Sequence, residues 1–327
     1  MIVALAILAI ADLVVGVSND AVNFLNSAVG SKAVSFRTIM IVASLGIAFG
    51  AIFSSGMMEV ARKGIFVPGE FYFNEIMIIF MAVMITDILL LDFFNTLGMP
   101  TSTTVSIVFE LLGAAVAMAF IKIVADGGSF SEVTNYINTS KATEIIVGIL
   151  ASVVVAFTIG ALVQYISRML LSFSFEKKAQ WVSALFGGVA LTAMIYFILI
   201  KGIKGADIAK QSFDFIGGAT INDFLEHNVL AIISISFVIL SLLAYITTAF
   251  LKINIYKLII IVGTFALALA FAGNDLVNFI GVPIAAWQSY QAFIDPLVNV
   301  NGLAANEFTM GILGEKVPTP TLLLFSL

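Results

Sequence analysis

The sequence predicts an all-α, polytopic membrane protein with inverted-topology repeats and broken or re-entrant helices. Three observations carry that prediction. The 327-residue chain is 61% hydrophobic and only 11% charged, with a mean hydropathy of +1.12, whereas soluble domains carry about 25% charged residues. Its apolar residues fall into blocks near the roughly 20 residues that a helix needs to cross hydrocarbon. A polar motif, Asn-Asp-x-Val-Asn-Phe, occurs twice, each time directly after an apolar block.

Apolar blocks bounded by polar or Pro/Gly breaks predict helices at about 2–17, 36–60, 73–95, 101–125, 143–167, 180–202, 228–251 and 256–273. The first has no basic start, carries Asp12 and runs straight into the polar motif, so it reads as a span rather than a cleaved leader. The fourth opens at Pro100, which suits a first helical turn because its missing N–H has no partner there anyway. A shorter, interrupted apolar region is expected from Phe279 onward. Basic residues gather on the cytoplasmic side of membrane helices. Arg168, Lys177 and Lys178 mark one such loop and Lys252 with Lys257 another, which puts the N-terminus outside, while Arg62 and Lys63 run against the pattern. Two segments follow: residues 1–251 hold a first repeat, to about 125, plus central helices, and residues 252–327 begin a second, inverted repeat. The chain stops inside the apolar run Leu322-Leu323-Leu324-Phe325, so this second repeat is expected to be incomplete.

Composition also excludes function classes. The net charge of −5 is spread over short loops, and no basic stripe or tail points to nucleic acid or to lipid headgroup binding. With no cysteine and a single histidine, His227, thiolate chemistry is excluded and a zinc-type catalytic site is not expected. The chain is not expected to be an enzyme or to hold a cofactor. Its expected place is the cell (inner) membrane, as a multi-pass protein in contact with lipid, with assembly into a homo-oligomer left open.

The repeated motif reads Ser18-Asn19-Asp20-Ala21-Val22-Asn23-Phe24 in its first copy and Gly273-Asn274-Asp275-Leu276-Val277-Asn278-Phe279 in its second. An odd number of predicted helices separates the two, so they enter the membrane from opposite sides, as in transporters with the substrate site at a repeat interface. Asp and Asn at a helix break offer carboxylate, amide and backbone oxygens, the hard ligands a small cation prefers. A carboxylate in hydrocarbon costs at least about 2.5–3.5 kcal/mol and so normally faces a cavity with a function. Capping at the membrane interface is the plainer alternative. The stretch Gly98-Met99-Pro100-Thr101-Ser102-Thr103-Thr104 adds hydroxyls and free backbone N–H groups at a helix start, where the dipole is positive and an oxyanion is favoured. An ordinary Ser/Thr cap fits the same spacing equally well.

Together these elements resemble the inorganic phosphate transporter (PiT) family. The family's Gly-Ala-Asn-Asp-Val-Ala-Asn signature is approximated by Gly16 to Asn23 and by Gly273 to Asn278. Its Pro-x-Ser-Thr-Thr element is similar to Pro100 to Thr104, and its Glu-x-x-Arg-Lys-Gly-Ile stretch to Glu59 to Ile65. The resemblance implies carriage of inorganic phosphate by symport with sodium or protons. It implies a phosphate site built from Asp20, Asn23, Thr101, Ser102, Thr103, Thr104, Asp275 and Asn278. Sodium would lie at Asn19, Asp20, Asn274 and Asp275. Another oxyanion such as sulfate or arsenate, or a phosphate-sensing subunit that does not transport, are the alternatives. Glu59, Asp87 and Glu110 are candidates for coupling; pairing with neighbouring hydroxyls or cations is their plainer role. Trp181, Trp287 and Tyr290 read as interface anchors, and Gly187-Gly188 as a place of close helix packing.

Overall fold

The structure, a computed structural model, describes residues 1–53, 64–171, 180–200, 209, 211–213 and 218–314, leaving aside the side chains at 52, 53, 274, 276 and 277. In chain order its helices are α1 (Ile2–Ser31), α2 (Phe36–Phe53), α3 (Phe73–Leu97), α4 (Thr103–Ala125), α5 (Val133–Tyr136), α6 (Thr139–Leu171), α7 (Gln180–Ile198), α8 (Ile221–His227), α9 (Val229–Ala249), α10 (Ile255–Asn274) and α11 (Leu276–Ile294). Extended pairing among the described residues is confined to isolated bridges such as Phe66 with Ile137. Among the described residues, seven helical stretches are long and apolar enough to cross a membrane: α1, α3, α4, α6, α7, α9 and the α10–α11 stretch. The sequence prediction of a helical multi-pass architecture therefore holds.

Two compact units make up the chain. One comprises residues 1–22, 55–150 and 274–327; the other comprises 23–54 and 151–273. In the first unit, α3 and α4 form a helical hairpin. The start of α3 is fixed by Glu75, whose Oε2 accepts from the Tyr72 N–H (2.7 Å) and from Lys122 Nζ at the far end of α4 (2.9 Å). Gly98, at φ 67°, closes α3 in the left-handed conformation that glycine adopts without a Cβ penalty. The chain then turns through Pro100 to Ser102, whose Oγ caps α4 by accepting from the Val105 N–H. A core of Leu5, Phe66, Phe71, Phe80, Leu111 and Val282 holds α1, this hairpin and α11 together. The second unit packs α7 on α9 through small residues. Gly187 lies against Ala244 and Ile255, and Gly188 sits directly over Ser241, as the glycine pair predicted.

Two boundaries differ from the sequence reading. The first motif copy does not interrupt its helix: α1 continues from Ile2 to Ser31 straight through Asn19 and Asp20. Ser18 Oγ donates to the Val14 carbonyl (2.6 Å), and the side chains that follow find partners on other helices, so the backbone has no reason to open. The second copy is interrupted, at Asp275 alone, between α10 and α11. Beyond it the expected broken region is instead a regular helix to Ile294 with Pro283 in its interior, a placement that membrane helices tolerate. Helix α6 keeps almost all of its side chains exposed, an apolar surface suited to hydrocarbon.

Candidate functional site

The site grows from the first turn of α4, within the first unit. Proline at position 100 and the Ser102 cap start the helix there, and its first N–H groups have no intrahelical partner. Two adjacent threonines then reach the two motif copies separately. Thr103 Oγ1 donates to Asp20 Oδ2 (3.0 Å), with both residues buried. Thr104 Oγ1 donates to Asp275 Oδ1 (2.9 Å) and accepts from Asn278 Nδ2 (2.9 Å). Neighbouring residues at a helix start, splayed by the 3.6-residue turn, thus hold Asp20 of α1 and Asp275 between α10 and α11 around one place. The two carboxylates interact electrostatically.

A second set of bonds orients this turn. Asn19 Oδ1 accepts from the Thr101 N–H (2.8 Å), while Asn19 Nδ2 donates to Asn95 Oδ1 (2.8 Å) and to the Met99 carbonyl (3.3 Å). Asn95 Nδ2 in turn donates to the Val15 carbonyl (2.9 Å). Asn19 is therefore the brace between α1 and the α3–α4 turn. Gly16 lets α1 and α11 meet: a Cβ at this position would overlap the buried ring of Phe279.

The sequence-predicted residues are distributed as follows. Asp20, Thr103, Thr104, Asp275 and Asn278 come together. Thr101 takes part through its backbone, and Ser102 is exposed with its hydroxyl spent on the cap. Asn23 lies on the part of α1 that belongs to the second unit. Glu59 and the Asn274 side chain lie outside the described residues. Asp87 and Glu110 meet through Ser106, whose Oγ is 2.6 Å from Asp87 Oδ1 and 2.7 Å from Glu110 Oε1. Sequence reasoning did not single out Asn95, Ser106 or Asp12 as site residues. Of these only Asp12, a carboxylate inside an apolar block, left a signal that could have been used.

Among the described residues no group of three or more His, Cys, Asp or Glu side chains has metal-holding spacing. A monovalent cation held by mixed carboxylate, hydroxyl and backbone oxygens does not need such a group.

Comparison with known proteins gives a consistent picture. The profile of the phosphate transporter family matches residues 16–314. A proposed phosphate permease of Thermococcus kodakarensis is 26% identical over 317 residues, covering 94% of this chain and 67% of that protein. One of Pyrococcus furiosus is 25% identical over 316 residues, covering 94% of this chain and 66% of the relative. The chain thus spans about two thirds of the length of these relatives. Among solved structures, one of a sodium-dependent phosphate transporter superposes with a TM-score of 0.65 at 20% identity, covering 98% of this chain and 72% of that one.

Proposed function

Given that this chain belongs to the phosphate transporter family, a family of carriers rather than enzymes, we propose that it carries inorganic phosphate across a membrane by symport with a cation. The observation that carries the reading is the pair Thr103 and Thr104, each bonded to the aspartate of a different motif copy. An oxyanion at the start of α4 meets N–H groups without intrahelical partners and the positive end of the helix dipole, and it gains the Thr103 and Thr104 hydroxyl protons only when these leave Asp20 and Asp275. It also meets two carboxylates. Two like unit charges 4 Å apart repel by about 4 kcal/mol at an effective dielectric of about 20, so the anion needs a cation beside Asp20 and Asp275. Sodium fits the oxygen-rich surroundings of these residues and is the coupling ion in this reading. Asn19, already engaged with the Thr101 N–H, positions the turn and offers its amide oxygen only as a shared ligand. Coupling then needs no covalent step, because the loaded site is nearer neutrality and changes access more readily than a half-loaded one.

The test is accumulation of labelled phosphate by the protein in liposomes under an imposed sodium gradient. Asp20→Asn and Asp275→Asn should each abolish uptake while circular dichroism and thermal unfolding remain those of a folded protein. Normal uptake by both variants would discard the site.

A further inference from the structure

A second polar cluster lies beside the phosphate turn, in the same unit. Asp12 of α1 and Asp87 of α3 are fully buried, and Glu110 of α4 joins them through Ser106. Asp12 stands eight residues before Asp20, or about 12 Å along the same helix. Ser106 is two residues beyond Thr104. Asp12 interacts with both Asp87 and Glu110 and lies within hydrogen-bonding reach of the Asp87 carboxyl, yet no N–H or hydroxyl donor reaches either of its buried oxygens. Asp87 Oδ2 and Glu110 Oε2 are likewise buried without a donor. No ion pair among the described residues involves any of the three carboxyls.

Hydrogen-bond accounting then constrains what this cluster holds. Ser106 has one hydroxyl proton but stands at hydrogen-bond distance from two carboxyl oxygens. One of the two contacts therefore takes its proton from the carboxyl side. Three ionised carboxylates in this setting would leave uncompensated buried charge, which proteins avoid at a cost of several kcal/mol. A metal ion is the poorer occupant: the trio lacks metal-holding spacing, and the Ser106 contacts are direct O–H···O distances with no gap for an ion. A cavity of about 520 Å³ runs from Thr101 at the phosphate turn to the Glu110 end of the cluster; Thr86 and Ser106 also border it, and the rest of its wall is apolar, with Val83, Leu90 and Phe109. Among the described residues, the other titratable groups near the trio are Asp20, which interacts with Asp87, and through Asp20 also Asp275.

We propose that Asp12, Asp87 and Glu110, the last two joined by Ser106, form a proton-binding site that loads and unloads in step with the phosphate site at the start of α4. The proton is held between carboxyl oxygens and leaves along the cavity that Ser106 and Glu110 border; no covalent bond other than O–H is made or broken. The stepwise link to phosphate rests on the transport reading above, whereas the proton site itself does not.

Phosphate titrates near neutral pH, so the pH dependence of uptake alone is not diagnostic. The carboxylic-acid C=O stretch is. In infrared spectra of the protein in lipid, in H2O and in D2O, a protonated-carboxyl band is expected at neutral pH, shifted by added phosphate. Asp12→Asn and Glu110→Gln should each remove part of it while calorimetry still shows phosphate binding. If either variant does not fold, Ser106→Ala carries the same test through a displaced band. A spectrum without the band, a band unchanged in the variants, or a band titrated away by sodium chloride at constant pH overturns the proposal. A band lost in the variants of a protein that binds no phosphate keeps the proton site and discards the phosphate reading instead.

Discussion

Thr104 is the residue on which the site turns, since its single hydroxyl both donates to Asp275 and accepts from Asn278. Replacing it by valine preserves volume and β-branching but leaves each partner short of one hydrogen bond. Bonds to charged groups are worth about 1.5–3 kcal/mol, so Thr104→Val should weaken phosphate binding by at least about tenfold. Thr104→Ser, which keeps the hydroxyl, should restore most of it. Isothermal calorimetry on the two variants checks this; equal affinities for wild type and valine would show that the hydroxyl serves packing alone. Asn19 differs in kind. Its amide bonds tie α1 to the α3–α4 turn, so Asn19→Ala is expected to lower the unfolding midpoint as well as the affinity. A variant with unchanged stability and lost binding would instead make Asn19 a ligand.

Helix contacts determine whether those residues can meet. In the first unit, Gly16 of α1 lies directly under the ring of Phe279 on α11. Because that ring is fully buried, it has little room to withdraw. Gly16→Val should therefore destabilise the protein by about 1–3 kcal/mol, the usual cost of overpacking. Phe279→Leu in the same chain should recover part of the loss, so thermal unfolding of the two single variants and the double variant should be non-additive. This contact also accounts for the phenylalanine that closes the second motif copy. Much at this scale was legible in one dimension: the spans came from hydropathy, and the two-copy motif pointed to Asp20 and Asp275 because the same oxygen-rich word appears twice. The continuity of α1 was not legible. Asn and Asp in sequence look like a helix break, and only the partners supplied by α3 and α4 show why none is needed. Asp12 stood out as a carboxylate in an apolar block, but its role was not legible, for a related reason. Its partners are 87 − 12 = 75 and 110 − 12 = 98 positions away, and a single carboxylate in an apolar block does not say what it faces.

For the molecule as a carrier, the chemistry of the assembled site bears on which anion is moved. Hydroxyls and helix N–H groups bind any tetrahedral oxyanion, and on those features phosphate, arsenate and sulfate are alike. Asp20 and Asp275 break the tie. An ionised carboxylate only accepts hydrogen bonds, so an anion beside it is held best when it carries its own O–H. Phosphate and arsenate retain a proton at neutral pH, whereas sulfate has none and would meet the carboxylates with bare oxygens. Each unmatched charged contact is worth about 1.5–3 kcal/mol, or roughly one to two decades in affinity. Competition measured on labelled phosphate uptake into liposomes should therefore find unlabelled arsenate nearly as effective as phosphate and sulfate weaker by one decade or more. Lowering the external pH over the mildly acidic range should not improve sulfate, because it takes up a proton only in strong acid. Equal competition by sulfate would mean that the carboxylates are screened from the anion, with the intervening cation alone in contact with it. That result would keep the start of α4 as the anion site and leave Asp20 and Asp275 to the cation alone.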